Sequence, residues 1–452
     1  MLGVSLAWLV LVGIGSPAIV LAALGGASLL NRPLSERWTG SLAAGSMLIA
    51  WAALSGAFIA YGAGGTGARL LSYGQWSASR EGGIAIEFLV DRMSLAFAAL
   101  ATAIAGVVSA FSNRYLHRER GYNRYFVLLA MFVTGMLLVA LAGNVEVLFT
   151  GWELVGLSSA LLVAFFHERP ASVSNALRVF SVYRISDAAM LSAAVLLRHV
   201  AGTDSLSLLF AGTRAASTIG LTGTNATIIA ILLIVAVACK SALLPFSSWL
   251  PRAMEGPTPS SAVYYGSLSI HAGCFLLLRS APLLEHAPAA RFLAVALGAA
   301  TAIFAGITTR VQSDVKSSLA YASLTQIGLI VVETGIGWYR IAFLHLAGHA
   351  CFRLLQFLSA PNVLHDLHGM ENALGDRPWR SEGFLALMSD RMRRNLFLFA
   401  LERGFQDSIL DRVVVEPFMR LARRLTRLDA WLCGAVMSLG PVTIAAMGDH
   451  DE

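Results

Sequence analysis

The chain has 452 residues, of which 56% are hydrophobic and 13% are charged, and it carries a formal net charge of +6. Soluble globular domains contain about 25% charged residues, so this composition excludes a soluble protein with a water-exposed surface. Apolar stretches of roughly 20 residues recur, and a helix of that length spans the core of a bilayer. The excess of basic over acidic residues therefore indicates loops that face the cytoplasm, and it gives no support to nucleic-acid binding.

Cysteine and lysine are both sparse. The four cysteines are scattered singly without CxxC spacing, which predicts neither a disulfide framework nor a thiolate metal site. Lys240 and Lys316 are the two lysines among 33 basic residues, and both lie inside or at the edge of apolar segments. A buried lysine can lose its proton, whereas an arginine effectively cannot. This is the first indication of proton chemistry.

The apolar segments predict an all-α, multi-pass transmembrane helical bundle with broken helices. The first segment lacks the basic flank of a signal peptide and is expected to be a retained helix. About eleven spans are expected, at 4–30, 40–63, 88–112, 125–142, 145–166, 171–198, 226–248, 258–282, 290–308, 316–334 and 338–360.

Basic loops assign an orientation to these spans. Such loops follow the first, third, fifth, seventh and ninth spans, so they all fall on one side of the membrane. By the positive-inside rule that side is the cytoplasm, which puts the N-terminus outside and the C-terminal tail inside. The expected location is the inner (plasma) membrane of a bacterium.

Three parts are expected along the chain: N-terminal transmembrane helices in 1–87, an ion-conducting core in 88–360 and a tail in 361–452. Within the tail, 389–428 alternates apolar and charged residues at helical spacing, which is typical of an amphipathic helix on a membrane surface or on a partner. The apolar stretch 430–447 is either a twelfth span or a re-entrant segment, and we expect it to associate with the membrane.

Two charged residues stand inside predicted spans. Glu153 lies in GWELVG of the fifth span, and Lys240 lies in ACKSALLPF of the seventh. A charge at that depth is costly unless it is paired, hydrated or neutralised, so it indicates an ion path; a static ion pair is the alternative. Pro245 should break the seventh helix, and transporters form their ion sites at such breaks. A Glu153–Lys240 pair of variable separation would bind and release a proton.

Three histidines also fall inside predicted spans. His271 lies in SLSIHAG, while His345 and His349 share one helix face that Arg353 extends. Histidine titrates near neutral pH and relays protons through either nitrogen, so these residues are expected on the path. A two-histidine metal site is a rival interpretation that lacks a carboxylate or cysteine on the same face, and core histidines satisfied by hydrogen bonds are another. No metal site and no catalytic residue is expected in this chain.

The remaining charges in the spans are assigned two kinds of role. Lys316 begins the tenth span, where it either lies on the path or extends its ammonium group to the interface. Arg178, Arg184 and Asp187 lie in the sixth span. Because arginine stays charged, these three are expected to tune a neighbouring carboxylate rather than carry protons.

Four segments, GWELVGLSSALLVAFF, CKSALLPFSSWLPRAMEGPTPSSA, DVKSSLAYASLTQIG and HLAGHACFRLLQFL, give the chain a family resemblance. From about residue 88 to residue 360 it resembles the proton-translocating, antiporter-like subunits of respiratory complex I and of Mrp antiporters. The resemblance implies that Glu153 and Lys240 form the channel pair of that family. It also implies that His345, His349 and Arg353 match the histidine pair and following base of a later broken helix.

The chain departs from the family pattern at three points. Tyr265 stands where the family usually has a histidine, and His271 follows later on another part of the helix, so we expect a rerouted central relay. Arg353 stands where lysine is common, so that step is expected to be electrostatic. The further helices that the family has after the eleventh span are absent from this sequence, and the tail resembles the family's terminal segment joined on early.

A shortened subunit with the segment YYGSLSIHAG is similar to the membrane subunit of the DAB inorganic-carbon accumulation complexes. That resemblance implies a large soluble partner like a zinc carbonic anhydrase on the cytoplasmic side, with zinc in the partner and no cofactor in this chain. It implies that flow of H+ or Na+ drives hydration of CO2 to bicarbonate. The alternatives are a proton-pumping subunit of a complex I-like NADH-quinone oxidoreductase or membrane hydrogenase, and a Mrp-type Na+/H+ antiporter subunit.

Overall fold

The computed structural model describes residues 2–64, 67–77, 84–202, 205–206, 221–312, 314–374 and 389–438. Eleven helices in these ranges are long and apolar enough to cross a membrane, which confirms the multi-pass helical bundle. In chain order they are α1 (Leu2–Leu29), α2 (Glu36–Gly64), α3 (Arg92–Tyr115), α4 (Tyr122–Leu141), α5 (Val145–Val163), α6 (Pro170–Ala201), α7 (Gly223–Lys240), α8 (Thr258–Arg279), α9 (Pro288–Thr308), α10 (Val315–Ile336) and α11 (Tyr339–Leu374).

A β-hairpin precedes α3, and the sequence analysis missed it. Strand β1 (Arg69–Ser77) pairs antiparallel with β2 (Ile84–Val90). The predicted third span therefore begins too early, because residues 88–90 belong to β2. Asp91 starts the helix instead: its side chain accepts a hydrogen bond from the Ser94 amide, and the Ser94 hydroxyl accepts one from the Asp91 amide. This reciprocal cap satisfies two backbone donors that an apolar run alone would leave open.

Helix α8 forms the centre of the bundle. It is buried along its whole length and packs against α4, α7, α10 and α11. The outer helices expose large apolar side chains that a soluble protein would bury and that suit contact with lipid. Examples are Ile19, Ile59, Phe292 and Leu344, which are 70%, 73%, 76% and 71% exposed.

The loops after the odd-numbered helices meet at one end of the bundle. His117, which follows α3, bonds to Glu36 at the start of α2, with 2.8 Å between Nδ1 and Oε2. At the same end, Tyr115 contacts Thr258 at the start of α8 with a hydroxyl–hydroxyl distance of 3.2 Å. These contacts agree with the expectation that the basic loops share one side. That this side is cytoplasmic stays a prediction from the positive-inside rule.

The seventh and eighth helices are irregular where the buried charges lie. Helix α7 ends at Lys240, so the predicted span to 248 is too long, and a short helix, Trp249–Arg252, follows the break. Helix α8 contains a π-helical segment, Ser261–Leu268, between two α-helical parts. Wider π turns inside α-helices are frequent at functional sites.

The tail is divided rather than one continuous amphipathic helix. It contains α12 (Asp390–Leu401), a short helix (Gln406–Leu410), a π turn (Asp411–Val415) and α13 (Glu416–Ser438). Gly404 and Phe405 have φ angles of 66° and 56°, a left-handed conformation that ends α12. Of the stretch 430–447, the part after 438 lies outside the described residues.

Candidate ion path

The first cluster of charges is held by α5 and α6, where the side chains of Arg184 and Glu153 are half-buried, 33% and 29% exposed. Arg184 of α6 lies 2.7 Å from a carboxylate oxygen of Glu153 on α5 and 2.7 Å from one of Asp187, one helical turn further along α6. Asp187 is 4% exposed. A single guanidinium thus serves two carboxylates and leaves the trio with a net negative charge. A buried negative charge is costly unless another cation is near.

Lys240 is that cation. It is fully buried at the last residue of α7, where the helix dipole favours a positive charge. Its ammonium nitrogen donates to the Trp152 carbonyl at 3.0 Å and lies 4.8 Å and 4.4 Å from the ring centroids of Trp152 and Tyr183. Gly156 makes room for it, since a Cβ there would stand 3.0 Å from the Lys240 nitrogen.

Lys240 and the two carboxylates interact without touching. Lys240 forms no ion pair within 4.0 Å with Glu153 or Asp187, yet both carboxylates lie close enough to act on its charge, Asp187 more strongly. The sequence paired Glu153 directly with Lys240, whereas the structure gives Arg184 as the contact partner of Glu153. Arg184 and Asp187 therefore belong to the same charge cluster as Glu153 and Lys240.

The interruption of the helix after Lys240 has a local cause. In a continued helix the ring of Pro245 would clash with the carbonyl of Ser241, four residues earlier, and the helix ends before that point. The polar backbone groups exposed by the break find partners. Trp249 donates to the Cys239 carbonyl at 3.0 Å, and Thr301 accepts from the Leu244 amide at 3.0 Å. Pairing of this kind is what allows irregular backbone at membrane depth.

A second cluster joins α8 to α11. The His271 Nε2 and His349 Nδ1 atoms are 2.9 Å apart, and the Arg353 Nε–H donates to His349 Nε2 at 3.0 Å. Since Nε2 of a neutral His349 must then accept, its proton lies on Nδ1 and is donated to His271. Nε2 of His271 is the acceptor, so a neutral His271 carries its own proton on Nδ1. The hydrogen bonds run in one direction, from Arg353 through His349 to His271.

His345 turns to a different neighbour. Its Nδ1 lies 2.9 Å from a carboxylate oxygen of Glu333, and its Nε2 lies 3.0 Å from the side-chain oxygen of Gln326, both on α10. The rings of His345 and His349 are 6.3 Å apart. Sequence reasoning missed Glu333, although a carboxylate at the end of the tenth predicted span meets the same cost argument that singled out Glu153.

Three further predicted residues lie apart from both clusters. Lys316 donates to the Gly256 carbonyl at 3.3 Å and lines a polar cavity of about 450 Å³. The Tyr265 hydroxyl donates to the Ser159 carbonyl at 2.9 Å. Arg178 was predicted to tune a neighbouring carboxylate of the path, and its carboxylate partner is Asp411 of the tail. The roles of these residues stay predictions.

No metal-binding cluster of three or more histidine, cysteine or acidic residues occurs in the described ranges. The arrangement that the structure does describe is a row of titratable and hydrogen-bonding groups inside helices.

The tail is fastened to the elements that carry the first cluster. Asp407 binds Arg252, in the short helix after the interruption of α7, at 2.6 Å. Gln406 binds Ser247, in the non-helical segment between Lys240 and that short helix. Asp411 binds Arg178, which lies on the same helix as Arg184. The tail up to the π turn thus packs on the membrane helices of its own chain.

Together, eleven spans, a helix broken at a buried lysine and rows of buried charges define a membrane protein of the antiporter-like type. The model of the NADH:quinone oxidoreductase/Mrp antiporter transmembrane family matches residues 142–376, more than half of the chain. The model of the complex I chain 5 N-terminus matches residues 76–126. The chain therefore belongs to this family, and the predicted resemblance is confirmed.

Curated relatives include subunits of respiratory enzymes. NADH-quinone oxidoreductase subunit L of Mycobacterium tuberculosis is 34% identical over 336 residues, covering 71% of this chain and 52% of that protein. NADH-ubiquinone oxidoreductase chain 5 of Allomyces macrogynus is 35% identical over 286 residues, covering 62% and 43%. The chain spans about half the length of the curated relatives it matches.

Two solved structures share the architecture. A chain of the Mrp complex from Dietzia sp. aligns with a TM-score of 0.64 and 27% identity, covering 83% of this chain and 38% of that one. A chain of the membrane-bound sulfane sulfur reductase, an archaeal respiratory membrane complex, aligns with a TM-score of 0.67 and 19% identity, covering 78% and 70%. The second likeness concerns the fold alone.

Proposed function

We propose that this chain conducts a cation, H+, through its buried charge clusters, and that the ion gradient drives hydration of CO2 to bicarbonate by a soluble partner. The observation that carries the transport part is the cluster of Glu153, Arg184, Asp187 and Lys240 at the break after α7. Lys240 is fully buried and balances the charge of the two carboxylates without an ion pair to either, and an ionisable group held in this way at a helix break is typical of an ion path.

The charge arithmetic of this cluster links protonation to electrostatics. Glu153 and Asp187 carry two negative charges and Arg184 one positive charge, so an ammonium group on Lys240 makes the cluster neutral. Loss of the Lys240 proton leaves the cluster with one net negative charge, which attracts the next cation. Arg184 cannot take part in the exchange because its guanidinium stays protonated. That leaves Lys240 and the two carboxylates, and we assign the exchange to Lys240, the fully buried member of the cluster.

The second cluster continues the path. His271 and His349 are hydrogen-bonded to each other and lie on different helices, so a proton can pass from α11 to α8 without movement of either backbone. Arg353 orients His349 and supplies a fixed positive charge. His345, which is bonded to Glu333, is the histidine of this path that faces α10.

The proposed partner is a large subunit on the cytoplasmic side that resembles a zinc carbonic anhydrase. Support comes from the resemblance of YYGSLSIHAG to the membrane subunit of inorganic-carbon accumulation complexes. It also comes from α13, where Leu421, Leu425 and Leu428 are 55%, 56% and 51% exposed on one face and have no place in the bundle. The two solved structures that share this fold are an Mrp complex and an archaeal respiratory membrane complex. In this proposal, catalysis and zinc belong to the partner.

The test is purification of the complex from its native host, followed by metal analysis and by measurement of proton flux in liposomes. The expected result is a zinc-containing soluble subunit that copurifies, together with flux that an imposed pH gradient drives. A complex with quinone-reductase subunits in place of a zinc protein would overturn the partner assignment. Absence of flux from the wild-type complex would overturn proton conduction.

A second candidate is a proton-pumping subunit of a redox complex. The observation that favours it is the 34% identity to NADH-quinone oxidoreductase subunit L of Mycobacterium tuberculosis. In that case proton flux in membranes would depend on electron transfer in other subunits. Flux that persists in a purified complex without an electron donor argues for the first candidate.

A further inference from the structure

The helices that carry the two charge clusters contact each other closely at one point. The Ser241 hydroxyl donates to the Ile270 carbonyl at 2.6 Å, so the residue after Lys240 is bonded to the residue before His271. At the same point a Cβ on Gly273 would stand 2.2 Å from the Ser241 oxygen, and only a glycine leaves room for this approach. The end of α7 and the middle of α8 therefore bring Lys240 and His271 to neighbouring positions.

Tyr183 lies beside Lys240 at this approach. Its ring centroid is 4.4 Å from the Lys240 ammonium nitrogen, and the whole side chain is buried. Its hydroxyl faces the hydroxyls of Ser159 and Ser269 without a hydrogen bond to any residue that the structure describes. A buried tyrosine hydroxyl normally has a partner, so one without a protein partner at membrane depth calls for a functional explanation.

The middle of α8 carries more polar atoms of this kind. The hydroxyls of Ser267 and Ser269 and the Nδ1 atom of His271 are buried and make no hydrogen bond within the described chain. Ser267 lies at the end of the π-helical segment, where the backbone departs from regular spacing, and Ser269 and His271 follow directly after it. Water molecules can join groups that are spaced in this way.

We propose that the hydroxyls of Tyr183 and Ser269, joined by water, carry the proton between His271 and Lys240. The inference rests on the proposed proton conduction and names the groups that link its two clusters. Tyr265, at the position where a central histidine was expected, cannot serve, because its hydroxyl donates to the Ser159 carbonyl.

The transfer is balanced at each group. A proton can arrive on His349 at Nε2 once the Arg353 N–H has moved away from that atom. His349 then gives its Nδ1 proton to Nε2 of His271, and His271 gives up its own Nδ1 proton. Each hydroxyl and water accepts one proton and releases its own, keeping its electron pairs. The neutral amine of Lys240 accepts the last proton and becomes ammonium. The hydrogen-bond direction from Arg353 to His271 is already set for this order.

The test compares single-atom deletions in the complex purified from its native host. Tyr183→Phe keeps the ring beside Lys240 and removes the hydroxyl, and it should lower proton flux on the order of a hundredfold. Tyr264→Phe is the matched control, because the Tyr264 hydroxyl is equally buried but donates to the Leu128 carbonyl at 3.1 Å. Its flux should stay within about twofold of wild type.

Ser269 provides a second, independent comparison. Ser269→Ala should lower flux, and Ser269→Thr, which restores a hydroxyl, should recover it; a purely structural effect of volume would not follow this pattern. Wild-type flux in Tyr183→Phe overturns the proposal, and wild-type flux in Ser269→Ala overturns the part played by Ser269. Absence of flux in the wild-type complex would instead refute proton conduction itself, which keeps the two failures apart.

Discussion

Arg178 and Asp411 form a two-oxygen ion pair across 233 residues of sequence, with Nη2 lying 2.5 Å and 2.6 Å from the two carboxylate oxygens. Arg178 lies less than two turns before Arg184 on α6, and Asp411 begins the π turn of the tail. The tail is therefore bound to the same helix that holds the first charge cluster.

Reversal of this ion pair should loosen the tail. Arg178→Asp or Asp411→Arg alone sets like charges against each other, and the double replacement restores opposite charges, with an expected coupling of about 1 kcal/mol. Hydrogen exchange of the amides in 406–411 should accelerate in each single variant and slow again in the double variant. Arg420→Asp on the exposed α13 should leave that exchange unchanged. Identical exchange in all variants would show that the pair does not hold the tail.

Removal of one carboxylate should stop conduction without loss of the fold. Glu153→Gln keeps the shape of the side chain but leaves the cluster without the charge that balances Lys240, and Lys240→Ala removes the exchanging group. Flux should fall on the order of a hundredfold in each, with unchanged amounts of inserted protein. Glu119→Gln, in an exposed loop, is the control. Wild-type flux, or normal bicarbonate accumulation in a host deficient in carbonic anhydrase, would contradict the assignment.

His345 and Glu333 should act as one unit. Because their side chains are bonded at 2.9 Å, His345→Asn and Glu333→Gln should lower flux by similar factors, and the double variant should lose no more than the stronger single variant. His349→Asn combined with either should reduce flux further, since His349 contacts His271 instead. The measurement is proton flux across the full set of variants. If the losses of flux in the two single variants add up in the double variant, His345 and Glu333 act independently.

Gly273 should not tolerate a methyl group. Gly273→Ala would force its Cβ against the Ser241 oxygen and lower the melting temperature of the complex, even though alanine favours a helix by about 0.5–1 kcal/mol. Gly348→Ala in α11, where a Cβ meets open space, should keep or raise the melting temperature. The pair Gly273→Ala and Ser241→Ala should recover part of the loss. Equal melting temperatures for both glycine variants would disprove the close approach.

The exposed face of α13 should be required for the partner. Leu425→Glu puts a charge in the apolar face, whereas Thr426→Glu adds the same charge outside that face of the helix. The first variant should lose the copurifying soluble subunit and the second should keep it. Truncation after residue 385 should likewise lose the copurifying soluble subunit, as Leu425→Glu should. A stable, fully active complex after truncation would rule out this docking role.

The sequence by itself determined the number of spans and the depth of Glu153 and Lys240. Hydropathy over about 20 residues is a local quantity, and in a membrane it decides which segments are helical because each backbone group must be paired within its own segment. The helix break at Pro245 could be predicted for the same reason, since the clash of a proline ring with the carbonyl four residues earlier is also local. The β-hairpin was missed because its pairing depends on a neighbouring strand rather than on apolar length.

Only the tertiary structure decided which charges touch. The contact of Arg184 with Glu153, and the division of His345 and His349 between Glu333 and His271, depend on how each helix is rotated toward its neighbours. A helical spacing of four residues puts two histidines on one face, but it does not say which helices face each of them. Contacts between residues far apart in sequence follow from the packing of whole helices, and the composition of any single segment does not contain that information.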